Sequence, residues 1–561
     1  MTQNLSHQHK TGGQILIDVL LRHGVDHIFC VAGESYIAAL DALYDARDKI
    51  RVITCRHESG AAFMAEAYGK LTGKPGICFV TRGPGACNAT IGIHTAFQDQ
   101  TPMILFIGQV GRDVFGREGF QEVDFRALFT PLAKWATQIE SADRIPEIVG
   151  RSFSLAQSGR RGPIVIALPE DTLTDHSAAI ARDPAPIPSS APSPSALQSV
   201  QNILHSAQKP MVILGGGGWD KTSCAKMQKF AEQHHLPVAV AFRRQDLIDH
   251  HSPSYIGDIN FGADPALVTR MKESDCLFVI GDRIGEVTSR EFTAFDIPQM
   301  RQKLIHVQPH PDALNHIYRA DAPIAASIDE FCAALDGIKI NGAAWKNWAA
   351  DCRRDYATAL TPTAFNPAPA VDLAQIVGHL NKHLPKNTII TNDAGNYAGW
   401  LHRYYQWREY GTQLAPANGA MGYAIPSAVA ASILYPDRTV ICMVGDGGFM
   451  MTASELATAV QHGAKPIICV VNNGMYGTIR MHQEKHYPGR IVATELHNPD
   501  FAALAKSFGA YAAQITSTAD FAPALAEAMA AKKLALIELK TDAEIITNRT
   551  TIGAIRRAAG K

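Results

Sequence analysis

The chain has 561 residues, of which 46% are hydrophobic and 19% charged, and 52 basic against 53 acidic side chains leave a formal net charge of −1. This balance excludes an intrinsically disordered chain, and the near-zero charge argues against nucleic acid or a membrane surface as partner. No apolar stretch is long enough for a transmembrane helix, and residues 1–11 lack the apolar core of a signal peptide. Ten cysteines in a chain of this length form no disulfide framework, and the lack of a CxxC pair argues against a zinc site. We expect a soluble, cytoplasmic, multidomain protein.

Two proline-rich stretches, residues 182–196 and 360–370, are typical of linkers between domains. They predict three domains at residues 1–182, 197–345 and 365–561. The first and third parts have a similar rhythm of apolar runs and helical segments, although no sequence repeat is apparent.

Short apolar runs alternate with helical segments throughout the chain. The first part has runs at residues 27–33, 51–55, 76–81 and 103–108, with a helical segment at 60–71, and the second has runs at 211–214 and 276–281. The third has runs at 388–391, 439–444, 466–471 and 534–539. Such alternation indicates βαβ units, so the predicted fold is three open parallel-sheet α/β domains. Ligands of such sheets bind outside the carboxyl ends of the strands.

The most informative stretch is the βαβ unit at residues 439–477. One apolar run ends at Gly445-Asp446-Gly447-Gly448, one helix is expected to follow, and the next run ends before Asn473. Either motif alone is a turn in most proteins, but the pair places two oxygen ligands of the kind that Mg²⁺ prefers at one sheet edge. The glycines allow the backbone to approach a phosphate closely. The pair therefore predicts a diphosphate held through a metal.

This pair resembles the diphosphate–metal motif of thiamine diphosphate enzymes. Nearly the whole chain is similar to the acetolactate synthase family and its relatives, which include oxalyl-CoA decarboxylase and the 2-oxoacid decarboxylases. The resemblance implies that the three domains are, in chain order, a pyrimidine-binding, a central and a diphosphate-binding domain. It implies thiamine diphosphate as cofactor and Mg²⁺ held by Asp446, Asn473 and the carbonyl of Met475. The residues that it assigns to cofactor binding are Glu58, Gly395, Asn396, Gly419, Met421, Gly445, Asp446, Gly447, Gly448, Asn473, Met475 and Tyr476.

Three residues of this set are implied to make the cofactor reactive. Glu58, after the run at residues 51–55, would hydrogen-bond the pyrimidine nitrogen N1′, whereas taken alone it is a carboxylate at a helix start. Met421 would enforce the bent shape of the cofactor, and the Gly419 carbonyl would accept a hydrogen bond from its 4′-amino group.

Two further residues are candidates for contact with the substrate. Gln121, in Gly119-Phe120-Gln121-Glu122, resembles a family glutamine that faces the reacting carbon. Glu34 stands where biosynthetic acetolactate synthases have a second glycine. It either acts near the cofactor as acid, base or filter against anions, or is only a neighbour of a helix N-cap. Residues 476–480 also depart from the family's tryptophan-containing segment, which puts the pocket for the second substrate in doubt.

The resemblance implies an enzyme that decarboxylates a 2-oxoacid such as pyruvate and joins the resulting enamine to a second carbonyl, giving an acetolactate-type product. The alternatives are a thiamine diphosphate-dependent 2-oxoacid decarboxylase and a 2-hydroxyacyl or 2-hydroxyacyl-CoA lyase. From another class, the alternative is a catalytically silent scaffold that binds the cofactor.

Two expectations concern partners and the central domain. In the family, each active site lies between two subunits, so a homodimer or homotetramer is expected. The central domain of relatives holds FAD, holds ADP or is empty. Because the four glycines at residues 215–218 lack a full GxGxxG pattern, FAD is admitted but not favoured.

Overall fold

The computed structural model describes residues 9–559, so most of the segment at residues 1–11 on which the signal-peptide prediction rests lies outside the described residues. The chain forms two compact units. One extends up to Pro188 and includes Val429–Leu434 and Ala457–His462; the other comprises Ser189–Ala428, Tyr435–Leu456 and the chain from Gly463 onward. Among residues 9–559, no helix is long and apolar enough to cross a membrane.

The first unit contains a parallel sheet of six strands. In chain order its elements are β1 (Lys10–Thr11), α1 (Gly12–Arg22), β2 (His27–Cys30), α2 (Ile37–Asp45), β3 (Arg51–Thr54), α3 (Glu58–Thr72), β4 (Gly76–Val80), α4 (Gly83–Asp99), β5 (Met103–Gln109), α5 (Phe125–Phe129), β6 (Trp135–Gln138), α6 (Ile145–Gln157), β7 (Pro163–Pro169), α7 (Glu170–Thr174) and β8 (His176–Ser177). The strand order is β3-β2-β4-β5-β7-β6, while β1 and β8 form a separate antiparallel pair. Strands β4, β5 and β7 are buried along their whole length, which is why the sequence shows them as continuous apolar runs.

The central sheet belongs to the second unit and is also parallel. Its elements are α8 (Pro194–Ser206), β9 (Pro210–Leu214), α9 (Lys221–Gln233), β10 (Val238–Ala241), β11 (Tyr255–Ile259), α10 (Pro265–Glu273), β12 (Cys276–Ile280), β13 (Lys303–Gln308), β14 (Ala322–Ala325), α11 (Ile328–Ala334) and α12 (Lys346–Ala359). The strand order is β11-β10-β9-β12-β13-β14. We call the part of the chain that carries these strands the central domain.

The third sheet again has six parallel strands, all of them in the second unit, while Val429–Leu434 and Ala457–His462 of its helices belong to the first unit. Its elements are α13 (Leu373–His383), β15 (Ile389–Asn392), α14 (Ala398–Tyr404), β16 (Gln413–Leu414), α15 (Ala424–Leu434), β17 (Val440–Gly445), α16 (Asp446–Thr452), α17 (Glu455–His462), β18 (Ile467–Asn472), α18 (Gly477–His486), α19 (Phe501–Ser507), β19 (Tyr511–Ile515), α20 (Phe521–Ala530), β20 (Ala535–Lys540) and α21 (Ile552–Ala558). The strand order is β16-β15-β17-β18-β20-β19. This order repeats that of the first sheet strand for strand, which gives a structural basis to the shared rhythm of the outer parts.

The predicted fold of three parallel-sheet α/β domains is confirmed, and every predicted strand is present, most with ends shifted by a residue or two. The expectation of one helix between Gly445 and Asn473 is wrong, because two helices, α16 and α17, lie there. Helix α16 ends at Thr452. The Thr452 hydroxyl donates to the Gly422 carbonyl at 2.8 Å and not to a carbonyl of its own helix. The predicted domain boundaries stay a prediction.

Candidate cofactor and active site

The topology of the third sheet places the candidate cofactor residues at one edge. Strands β15 and β17 are neighbours, and the chain leaves them toward opposite sides of the sheet, so a crevice is expected where they end. Asp393 follows β15, Asp446 follows β17, and Asn473 follows the next strand, β18. Asp446 and Asn473, which the sequence singled out, thus meet Asp393 at the carboxyl ends of three adjacent strands.

Asp446 is a buried carboxylate, 2% exposed, whose oxygens accept three hydrogen bonds. Its Oδ1 accepts from the Gly447 amide at 2.9 Å, and its Oδ2 accepts from the Gly474 amide at 2.9 Å and from Asn498 Nδ2 at 2.8 Å. Burial raises the pKa of Asp446, while these bonds oppose the rise. A carboxylate offers about four lone-pair sites, so three donors leave room for one metal bond.

The turn after β18 brings the other two proposed ligands next to Asp446. Gly474, which donates to Asp446, is flanked by Asn473 and Met475, and Asn473 Oδ1 accepts from the Met475 amide at 3.2 Å. Met475 is 9% exposed and packs with Ile546 and Ile552. Residues 9–559 contain no cluster of three or more His, Cys, Asp and Glu fit for a metal, so this turn would rely on amide and main-chain oxygens.

The glycines after Asp446 are required by close contacts. A Cβ on Gly447 would lie 2.5 Å from the ring of Tyr476, and a Cβ on Gly448 would lie 2.3 Å from Asp393 Oδ2. No other residue fits at either position without displacing its neighbour. The backbone here can therefore approach a diphosphate, as the cofactor assignment requires, although the Gly447 amide is bonded to Asp446.

Asp393 connects three of the predicted cofactor segments. Its Oδ1 accepts from the Tyr397 hydroxyl, its Oδ2 accepts from the Gly422 amide at 2.8 Å, and the same Oδ2 faces Gly448. Burial raises the pKa of Asp393 to about 6, against the hydrogen bonds from Tyr397 and Gly422 and the charge of Arg243. The hydrogen bonds from Tyr397 and Gly422 therefore fix the position of the Asp393 carboxylate.

Gly395 and Asn396 follow Asp393 in the same loop. Gly395 has a φ of +155°, and a Cβ there would lie 2.7 Å from the Tyr397 ring. The Asn396 side chain is committed, because it donates to the Ile546 carbonyl at 3.0 Å and accepts from the Thr478 hydroxyl at 2.9 Å.

Two more predicted cofactor residues lie on the turn at residues 419–422. Gly419 adopts a φ of +68° that favours glycine, while a Cβ there would meet nothing within 4 Å, so the backbone conformation alone calls for this residue. Met421 is half-buried.

In the first unit, Glu58 is the first residue of α3 and is half-buried. Its Oε2 accepts from Asn88 Nδ2 at 2.9 Å, and a Cβ on Gly85 would lie 3.5 Å from its Oε1. Among residues 9–559, no hydrogen-bond donor contacts Oε1. Glu58 is therefore held through one carboxylate oxygen, with the other left for a ligand.

Gln121 lies in a loop with a φ of +65°, and its carbonyl accepts from the Gly83 amide at 3.0 Å. Its side-chain Oε1 is buried and accepts no hydrogen bond from the described residues. Arg82, 8% exposed, holds this loop by donating to the Phe120 carbonyl at 3.2 Å and to the Glu170 carboxylate. A buried amide oxygen without a donor from the described residues is suited to a polar group of a substrate.

Glu34 begins a single 3₁₀ turn, Glu34–Tyr36, that follows β2, and its side chain is exposed. The residue before it, Gly33, provides no side-chain cap for this turn. Both interpretations of Glu34 therefore stay open.

Sequence reasoning missed Asn498 and Arg243. Asn498 donates from Nδ2 to both Asp446 and Asn472, yet it lies in a loop with no motif around it. Arg243 follows strand β10, whose short apolar run was not among the predicted strands.

Comparison with known proteins identifies the family of the chain. Three sequence models of one family match the chain: "Thiamine pyrophosphate enzyme, N-terminal TPP binding domain" at residues 10–128, its central domain at 197–335, and its C-terminal TPP binding domain at 393–539. A probable acetolactate synthase large subunit of Methanococcus aeolicus is 30% identical over 560 residues, covering 95% of this chain and 92% of its own. Acetolactate synthase isozyme 2 large subunit of Escherichia coli K12 is 28% identical over 510 residues, covering 90% and 91%.

The chain belongs to the thiamine pyrophosphate enzyme family. Within that family it is an acetolactate synthase-like enzyme that depends on thiamine diphosphate and acts on carbon–carbon bonds.

Proposed function

We propose that this enzyme decarboxylates a pyruvate-like 2-oxoacid and joins the remaining two-carbon unit to a second carbonyl, with Mg²⁺ and thiamine diphosphate bound at the carboxyl edge of the third sheet. The single observation that carries the proposal is the convergence of Asp446, Asn473 and the Gly447-Gly448 backbone after adjacent strands. The likeness to acetolactate synthases over nearly the whole chain supports the choice of reaction.

Different residues at the third sheet would bind the metal, the diphosphate and the organic part of the cofactor. Asp446, Asn473 and the Met475 carbonyl would hold Mg²⁺, and Gly445, Gly447, Gly448, Gly395, Asn396 and Tyr476 would surround the diphosphate. Gly419 and Met421 would contact the organic part of the cofactor. When bound, thiamine diphosphate supplies the electron sink that decarboxylation of a 2-oxoacid needs.

Glu58 would hold a proton at Oε1 for the pyrimidine ring while Asn88 fixes Oε2. A carboxyl group that shares a proton with a neutral ring is a general acid–base catalyst, and fixing one oxygen orients the other. Glu34 is the third candidate for a catalytic residue, after Glu58 and Gln121, because its exposed carboxylate lies in the turn that follows β2.

Product analysis tests the reaction. The purified protein with thiamine diphosphate, Mg²⁺ and pyruvate is expected to release CO₂ and to form acetolactate rather than acetaldehyde. Acetaldehyde as the main product would favour the simple decarboxylase, and cleavage of a 2-hydroxyacyl-CoA without turnover of pyruvate would favour the lyase. A protein that binds the cofactor yet turns over none of these compounds would be the silent scaffold.

Gln121 offers a prediction about the substrate. We expect Gln121→Asn to lower kcat by about 10-fold or more, because the shorter amide no longer reaches the group that it contacts. Asparagine tolerates the positive φ of this position, so the loop should keep its shape. Steady-state kinetics with pyruvate, with cofactor affinity measured in parallel, check this; an unchanged kcat would contradict the role.

Two accompanying predictions remain. We propose no flavin for the central domain, and flavin bands in the visible absorption spectrum of the purified protein would contradict that. The homodimer or homotetramer stays a prediction, which sedimentation velocity measures.

A further inference from the structure

We propose that Arg243, contributed by the central domain, is a positioning residue for the cofactor loop, which we define as residues 393–396. Its guanidinium holds the main-chain carbonyl of Asp393 and thereby the carboxylate that connects the cofactor segments. The inference rests on the proposed function, since the loop matters in this way only if thiamine diphosphate binds at this sheet edge.

Arg243 is fixed by its surroundings. It follows β10, is 4% exposed and has a φ of +64°, a conformation that a residue other than glycine keeps only where neighbouring contacts determine it. Its Nη2 donates to the Asp393 carbonyl at 2.9 Å, and its Nη1 lies 3.1 Å from Nε2 of His402. The guanidinium also lies 4.8 Å from the centroid of the Phe242 ring.

Through its contact with His402, Arg243 also binds the helix after the cofactor loop. His402 lies on α14, and burial lowers its pKa well below the usual value, which favours the neutral ring. Because a guanidinium only donates, Nε2 of His402 must accept, and the ring proton must sit on Nδ1, 3.8 Å from Asp258 Oδ2. One guanidinium therefore binds both the start of the loop and the helix that follows it.

The segment that carries Arg243 is itself attached to the third sheet. Asp246 Oδ2 accepts the amides of Gly411, Thr412 and Gln413 at 2.9, 3.2 and 3.3 Å, alongside the edge strand β16. The Gln245 amide donates to Gln413 Oε1 at 2.8 Å. Arg243 thus reaches Asp393 from a short segment with hydrogen bonds to the edge of the sheet that bears the loop.

Loss of Arg243 would affect Asp393 in two ways. Among the donors that residues 9–559 supply, the carbonyl would keep Asn392 Nδ2, at 3.0 Å, and the buried carboxylate would lose the positive charge of Arg243. Because that carboxylate also binds the Gly422 amide and faces Gly448, a shift of Asp393 would displace three segments proposed to bind cofactor. We therefore expect the effect in cofactor affinity.

The test compares Arg243→Met and Arg243→Lys with the matched control Arg353→Met. Arg353 lies on α12 and also donates to main-chain carbonyls, those of His250 and Tyr255 at 3.1 and 2.7 Å, but these carbonyls belong to the central domain and not to the cofactor loop. Titration calorimetry of the cofactor-free full-length protein with thiamine diphosphate in excess Mg²⁺ gives Kd. We expect Arg243→Met to raise Kd by about 10- to 100-fold, the effect of losing a hydrogen bond from a charged group.

Arg243→Lys should show partial rescue, because an ammonium keeps the charge but cannot make both bonds of the planar guanidinium. Arg353→Met should bind like the wild type. An unchanged Kd in Arg243→Met, or an equal loss in the control, would overturn the proposal. If Arg243→Met does not fold, which a thermal melt shows, the Lys variant decides: a Kd several-fold above wild type supports the role, and a wild-type Kd overturns it. Failure of the wild type itself to bind would instead remove the proposed function.

Discussion

Replacing Glu58 with Gln is expected to lower kcat by about 10²- to 10⁴-fold, the usual contribution of a general acid–base catalyst. Glutamine keeps the size of the side chain and an oxygen that can accept from Asn88, but its amide cannot take up and release a proton. Cofactor affinity should stay close to that of the wild type, because the proposed metal and diphosphate ligands all lie at the third sheet. Assays of CO₂ release measure kcat, and calorimetric titration with thiamine diphosphate measures cofactor affinity, so the two effects are determined separately.

The control for this variant is Glu147→Gln. Glu147 is an exposed carboxylate of the same unit whose partner is Arg144, at 2.8 Å on the surface. We expect it to leave kcat unchanged. Wild-type kcat in Glu58→Gln would refute the proton-holding role, and a loss confined to cofactor affinity would make Glu58 a binding residue only.

Replacing Asp446 with Ala should weaken the Mg²⁺-dependent binding of thiamine diphosphate by more than about 100-fold, since even groups that only support a metal ligand change affinity by 10- to 100-fold. The carboxylate contributes a proposed metal ligand, and it also holds the Gly474 amide beside Asn473. Its removal therefore deprives the metal of one ligand and loosens the turn that carries the other two. Titration of the cofactor with and without EDTA measures the effect, and the wild type treated with EDTA should approach the variant.

Asp437→Ala provides the comparison, because Asp437 is an exposed aspartate just before β17. It should bind cofactor and metal like the wild type. Unchanged affinity in Asp446→Ala, or affinity in the wild type that does not respond to EDTA, would contradict the assignment of Asp446 as a metal ligand.

The sequence was most informative where local chemistry coincides with a strand end. Asp446 and Asn473 were predictable because each follows an apolar run, and parallel strands bring their carboxyl ends to one edge whatever the connecting helices do. The error of one helix for α16 and α17 left this prediction intact for the same reason. Glu58 required the family resemblance, since a carboxylate at a helix start is ordinary by itself.

Arg243 and Asn498 could not be assigned roles from the sequence, for a physical reason. The partner of Arg243 is a main-chain carbonyl 150 positions away, and every residue type has such a carbonyl, so no sequence pattern marks it. Asn498 lies 52 positions from Asp446 in an irregular loop, where neither hydrophobic period nor turn chemistry fixes its direction. Contacts of this kind become visible only when the fold places the groups together.

The most direct measurement of the central claim is CO₂ release from pyruvate by the cofactor-free wild-type protein, with thiamine diphosphate and Mg²⁺ added separately and together. We predict turnover only when both are present, with acetolactate accumulating as CO₂ is released. Turnover without thiamine diphosphate, or no CO₂ from pyruvate with both additions, would contradict the account.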